Sequence, residues 1–126
     1  MKKKFLPAIL LILCALGVSA TAQTAPLPQQ EQLLNGLKVI VWKDAAAPKL
    51  MIKVRVHSGA AFDPKGKMGT MALLSDIIFP DPQTREYFTD DLEGGLRVVQ
   101  NHDYIQVTAW GKTEEFISML DTIRIG

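Results

Sequence analysis

Alternating apolar and polar side chains mark the strands of this chain. After Asn35-Gly36, a turn signal, Leu37, Val39 and Val41 alternate with Lys38, Ile40 and Trp42. That is strand spacing. Asp44 to Pro48 is a loop of small residues, and a second strand follows it. In that strand Leu50, Ile52, Val54 and Val56 alternate with Met51, Lys53, Arg55 and His57, so one face is apolar and the other mostly basic. The two strands are expected to pair antiparallel across the loop. Further on, Leu96 to Gln100 and Tyr104 to Trp110 read as a hairpin joined by Asn101-His102-Asp103.

Between these strands the period changes. Asp63-Pro64-Lys65-Gly66 reads as a turn, with proline preset for its second position. Met68 to Phe79 has helical spacing, with an apolar line through Met71, Leu74 and Ile78 widened by Leu73 and Ile77. Ser75 and Asp76 fall opposite that line, on the expected wet face. Pro80 ends the helix, because the residue before a proline avoids helical dihedrals. Asp81-Pro82 starts another, with Asp as cap and Pro at the first helical position. It runs to about Glu93 and stops at Gly94-Gly95, read as a left-handed terminator. Thr113 is expected to cap a last helix to Ile125, with Glu114 and Glu115 in its first turn, where the helix dipole favours negative charge. Strands grouped beside helices predict an α+β fold, an antiparallel sheet with helices packed on one face.

The N-terminus changes the picture of where the chain works. Met1-Lys2-Lys3-Lys4 is a basic lead, Phe5 to Val18 an apolar run, and Ala20-Thr21-Ala22 a small-x-small cleavage pattern. Residues 1–22 therefore read as a signal peptide, and the protein is expected to be exported to the periplasm, or secreted. The apolar run is shorter than the ~20 residues of a membrane span, and Leu13 before Cys14 does not suit a lipoprotein signal. Residues 23–32, rich in Gln and Pro, read as an exposed lead-in, and residues 33–126 as the folded part. The only cysteine, Cys14, leaves with the signal, so disulfides are not expected. The formal net charge of +1 falls to about −2 without Lys2, Lys3 and Lys4, which does not point to nucleic acid.

Several segments resemble the N-terminal part of the insulinase family of zinc peptidases, also known as the pitrilysin or mitochondrial processing peptidase family. Leu34-Asn35-Gly36-Leu37-Lys38-Val39 is similar to its opening strand. Lys53-Val54-Arg55-Val56-His57-Ser58-Gly59-Ala60 is similar to its second. Asp63-Pro64-Lys65-Gly66-Lys67-Met68-Gly69 resembles the approach to the zinc helix, and Leu92-Glu93-Gly94-Gly95 a later Gly-Gly segment. Each piece is short, but they occur in the family's order between about Leu33 and Ile123. The resemblance implies an incomplete metallopeptidase-like domain, the N-terminal part of a longer one.

In that family the helix corresponding to Gly69–Phe79 carries two zinc-binding His with a Glu that activates water. Here Ala72, Ser75 and Asp76 stand at those positions. A methyl group, a neutral hydroxyl and one carboxylate do not bind zinc, so no catalytic residue, metal ligand or cofactor is expected. Active members also carry an Asn-Ala pair on an edge strand that grips the peptide substrate, and Val98-Val99 stands there in this chain. The resemblance thus implies a non-catalytic member, a structural or peptide-binding partner of a homologous active peptidase subunit. It would handle peptides or unfolded protein segments and have no membrane span once its signal is removed. The other readings are an active metallopeptidase whose ligands come from elsewhere, and a plain peptide-binding module or truncated remnant.

The remaining chemistry-bearing residues have plain readings beside functional ones. His57 and His102 are the only histidines. They would make a replacement site only together with Asp76 or Asp103, and otherwise read as ordinary surface residues. Lys53 and Arg55 either meet an acidic partner or form the wet side of a sheet, and the second reading is preferred. Asp90-Asp91-Glu93 lacks a calcium-loop pattern and reads as an exposed helix end. Trp42, on the outer face of its strand, hints at a covered surface.

Overall fold

The computed structural model describes residues 27–126. The expected signal peptide, residues 1–22, lies outside them. The described residues divide into two compact units, one ending at Asp44 and the other spanning Ala45–Gly126.

In the first unit, β1 (Gln29–Gln32) and β2 (Lys38–Val41) form a two-stranded antiparallel ribbon. The end of the stretch read as lead-in is thus a strand, although its side chains are exposed. Gln29 stands opposite Val41 and Gln32 opposite Lys38. The turn between them forms at Asn35-Gly36. The Leu33 N–H donates to Leu37 O at 2.8 Å, the Asn35 side chain accepts from the Leu37 N–H at 3.1 Å, and Gly36 has φ 86°.

The second unit is α+β. Its strands are β3 (Leu50–Val56), β4 (Gly95–Gln100) and β5 (Ile105–Gly111), hydrogen-bonded in the order β3-β5-β4. Both pairings are antiparallel. The β4–β5 hairpin follows the alternation in the sequence. Its tight turn is closed by the Asn101 side chain, which accepts from the N–H groups of Asp103 and Tyr104, each at 2.9 Å. The expected pairing of the second strand with the first is not formed. β2 pairs with β1, and β3 pairs with β5, which is far away in sequence.

The helices are α1 (Thr70–Ile77), α2 (Pro82–Glu86) and α3 (Phe116–Ile125). The segments that follow α1 and α2, together with α3, supply one side of the sheet. Phe79, Phe88, Leu92 and Met119 pack there against Leu96, Val107 and Ala109, with Leu50, Ile52 and Val54 at the margin. These strand residues belong to the alternate set that shares one face, so the helical segments cover one face and leave the other open. Asp81 caps α2 as its sequence indicates, accepting from the Gln83 N–H at 3.0 Å, with Pro82 in the first turn. α2 then widens into a π-helical turn, Tyr87–Asp91, that buries Phe88.

The end of that turn corrects the reading of Gly94-Gly95. The left-handed residue is Glu93, with φ 50°, and neither glycine has a positive φ. The Gly94 N–H closes the helix end on Phe88 O at 2.8 Å. The glycines are needed for proximity instead. A Cβ on Gly94 would collide with the Trp110 carbonyl oxygen, and one on Gly95 with the Trp110 indole. Lys112 secures the corner by donating to Asp91 O at 3.0 Å and pairing with the Glu93 carboxylate at 3.1 Å. Thr113 does not cap the last helix. Thr113–Glu115 form a 3₁₀ turn, and Glu115 stands at the helix start without a side-chain cap bond.

Candidate functional site

The sequence places the candidate chemistry on α1, and the structure shows how that helix is held. The turn before it closes one residue later than expected: the Lys67 N–H donates to Pro64 O at 2.9 Å, with Gly66 at φ 78°. Asp63 is thereby free to reach the start of α1. Its carboxylate accepts from the Gly69 N–H at 2.6 Å and from the Met71 N–H at 2.8 Å. The first turn of a helix has unpaired N–H groups, and a carboxylate there satisfies both hydrogen bonding and dipole. The Met71 and Gly69 N–H groups hold the Asp63 carboxyl below its ordinary value of 3.8. Ser58 Oγ also lies 3.3 Å from Met71 Sδ, tying the helix to the loop after β3.

This anchoring turns the helix partly away from the expected face: Met71 and Ile78 face inward as expected, but Leu74 does not. Ser75 is 9% exposed and is the buried residue of α1. Leu73, Leu74 and Ile77, expected to face the core, are exposed. The inward line is Met71, Ser75 and Ile78, which have the spacing of one helical face. The Ser75 hydroxyl donates to Ala72 O at 2.7 Å, so it enters the interior with its proton satisfied by its own helix. Ala72 and Asp76 are exposed. The three positions at which the resemblance locates the zinc motif therefore do not form one polar cluster.

α1 touches β4. β4 is an edge strand of its sheet, bonded to β5 alone among the described residues. Val98 turns to the core face, packed against the buried cluster. Val99 turns to the opposite face, beside Thr108 and Gln106. What β4 presents along its edge is backbone, and a row of unpaired N–H and C=O groups can accept another extended chain.

The two histidines do not join Asp76 in a site. Among the described residues no three His, Cys, Asp or Glu side chains are grouped so as to hold a metal. His57 is exposed with its ring edge against Phe62, centroids 5.3 Å apart. His102 contributes its backbone: its carbonyl accepts from the Ala61 N–H, and Asn101 O accepts from Ala60, both at 2.9 Å. Gly59 is buried at this junction, where a Cβ would collide with the same two carbonyls. Trp42 is exposed.

The open face of the three-stranded sheet holds the group that the sequence reading did not assemble. Register gives three cross-strand rows: Met51–Trp110–Gly95, Lys53–Thr108–Arg97 and Arg55–Gln106–Val99. All of these residues except Arg55 and Gly95 line a shallow depression of about 390 Å³. Lys53 and Arg55 were legible from alternation. Arg97 belongs with them only through the β4–β5 register, which sets it opposite Thr108. No family model matches the chain, and no curated protein matches it.

Proposed function

We propose that the protein is a non-catalytic, insulinase-like peptide-binding subunit that works beside a homologous, active zinc peptidase. It would be exported under the signal read in residues 1–22, and it would hold extended peptides or unfolded segments by strand addition. The observation that carries this reading is the one-sided bonding of β4, the strand with Val98 and Val99, next to α1. The side chains at Ala72, Ser75 and Asp76 support the non-catalytic half. One is a methyl group, one is buried with its proton donated to a carbonyl, and one is a lone exposed carboxylate. Catalytic zinc takes about three protein ligands.

Two measurements test the reading. An extended peptide should protect the β4 amides from hydrogen exchange, whereas the same peptide N-methylated at alternate amides should leave them unprotected. Equal protection of β4 by both peptides would refute strand addition. For the non-catalytic half, the purified chain is loaded with zinc and assayed on a fluorogenic peptide. A stoichiometric, tight zinc complex with chelator-sensitive hydrolysis would overturn it.

A further inference from the structure

We infer that the open face of the β3-β5-β4 sheet is a docking surface for acidic extended polypeptide, in which Lys53, Thr108 and Arg97 receive a carboxylate and the Trp110 indole receives an apolar side chain two residues away. This concerns the face of the sheet rather than its edge. It stands whether or not β4 accepts an added strand.

Charge complementarity is the first support. The sequence carries 14 basic and 13 acidic residues, yet the open face gathers Lys53, Arg55 and Arg97 with no acid in any of the three rows. The Lys112–Glu93 and Arg124–Asp121 ion pairs lie elsewhere. Lys53 and Arg97 flank Thr108 on the two outer strands. Neighbouring strands are about 4.8 Å apart, so the two stems rise about 10 Å from one another. Both side chains are long enough to converge above Thr108.

The second support is a built arrangement of donors. Arg55 donates through Nη2 to Gln106 Oε1 at 2.8 Å and through Nε to the same oxygen at 3.2 Å. Its guanidinium also lies over the Tyr104 ring, 4.2 Å from the centroid. A guanidinium has only donors, which fixes the Gln106 oxygen toward Arg55 and the amide nitrogen away from it. Gln106 Nε2 accordingly donates to Thr108 Oγ1 at 3.1 Å. With its oxygen accepting, the Thr108 hydroxyl has its proton left to give. Arg55 is thus a positioning residue, and Thr108 is held as a donor between two cations. Cation and hydroxyl donors converging on one point suit a carboxylate.

Geometry supplies the rest of the specificity. The Trp110 row lies two residues along the strands from the Thr108 row, a step of about 6.7 Å. The indole lies across β4 at Gly95, where any Cβ would strike its ring. It forms a flat platform beside Met51, which is exposed. Alternate side chains of an extended peptide point the same way with the same step. A peptide running along the strands would therefore seat an apolar residue on Trp110 and an Asp or Glu two positions away on Thr108. A single-stranded nucleic acid could also stack on an indole, but that mode uses a longer cationic groove and several aromatic platforms.

The test uses the full chain and a fluorescein-labelled octapeptide with Leu and Glu two positions apart, followed by anisotropy at low and moderate salt. Binding is expected to weaken about fivefold for Lys53→Ala and again for Arg97→Ala, to weaken in the Thr108→Val variant, and to fall as salt rises. Circular dichroism melts of the variants should match the parent. The Glu→Gln peptide and a peptide with Leu and Glu adjacent should bind more weakly, while backbone N-methylation should be tolerated. That last result separates this surface from the β4 edge. Equal affinity for the Gln peptide would overturn the inference, as would unchanged binding by both alanine variants. Tighter binding of an oligodeoxythymidine than of the acidic peptide would assign the face to nucleic acid instead, and would equally overturn it.

Discussion

Replacing Phe88 by alanine should come close to unfolding the second unit. Phe88 is fully buried in the π-helical turn, where it packs with Leu92, Phe79 and Met119 against the sheet. A fully buried aromatic truncated to alanine costs about 3–5 kcal/mol, through lost transfer energy and the cavity left behind. A domain spanning residues 45–126, at about 0.05–0.15 kcal/mol per residue, has roughly 4–12 kcal/mol in total. The substitution therefore removes between a quarter and all of it. At about 4–8 °C per kcal/mol for a domain of this size, the melting temperature should fall by roughly 12–40 °C. Phe116→Ala is the control, since Phe116 on α3 is 42% exposed, and it should cost about 1 kcal/mol or less. Urea unfolding followed by Trp110 fluorescence, in a Trp42→Phe background so that β5 alone reports, measures both. Similar costs at the two positions would refute this location of the core, as would a cost under about 1 kcal/mol at Phe88.

Four further outcomes are expected. Gly94→Ala should destabilise by about 3 kcal/mol or more, because the new Cβ meets the Trp110 carbonyl, which is backbone and cannot turn aside. Gly36→Ala, with open space around it but a positive φ, should be milder, and thermal melts decide the order. Asp63→Asn should lower the melting temperature at pH 7. Because the Asp63 pKa is depressed in the folded state, its contribution is present above 3.8 and lost as pH falls through the lower folded value, so the gap between parent and variant should close under acid. Ser75→Glu puts a carboxyl at a buried position. Burial raises that pKa, so the penalty should be large at pH 7 and shrink as the group protonates. The exposed apolar side chains of α1 should drive concentration-dependent association, measured by light scattering, and Leu73→Lys with Ile77→Lys should reduce it.

Much of the fold could be read from local pattern, because local pattern is what decides it. β3, β4 and β5 follow from alternation, the Asn101 turn from its side chain, and the start of α2 from Asp81-Pro82. The failures are of another kind. Alternation specifies which residues share a face but not which strand lies beside them, so it points β3 to its neighbour in sequence, whereas its partner is β5. Gly94-Gly95 reads as a left-handed terminator, yet neither glycine has a positive φ and what their place excludes is a side chain. The reason is the close approach of Trp110, which no local window contains.

The α1 helix shows why its chemistry was harder to read than its secondary structure. Its apolar line through Met71 and Ile78 can be completed on one side by Leu74 or on the other by Ser75. Asp63 and Ser58 fix the choice from outside the helix, by holding Met71 at the backbone and at its sulfur. Once Met71 is fixed inward, helical spacing brings Ser75 in after it and leaves Ala72 and Asp76 in solvent. Placing His, Glu and His at Ala72, Ser75 and Asp76 would put a charged carboxyl where the helix now buries a self-satisfied hydroxyl, so it would oppose folding before it could bind zinc. On the open face of the sheet the relation is reversed. There Arg55, Gln106 and Thr108 come from strands that only register joins, and their hydrogen bonds use the Thr108 oxygen and not its proton. A polar group closed on itself serves structure, and one left open by its neighbours can serve a ligand, which is why the sheet face and not the helix is the surface from which to seek this protein's partner.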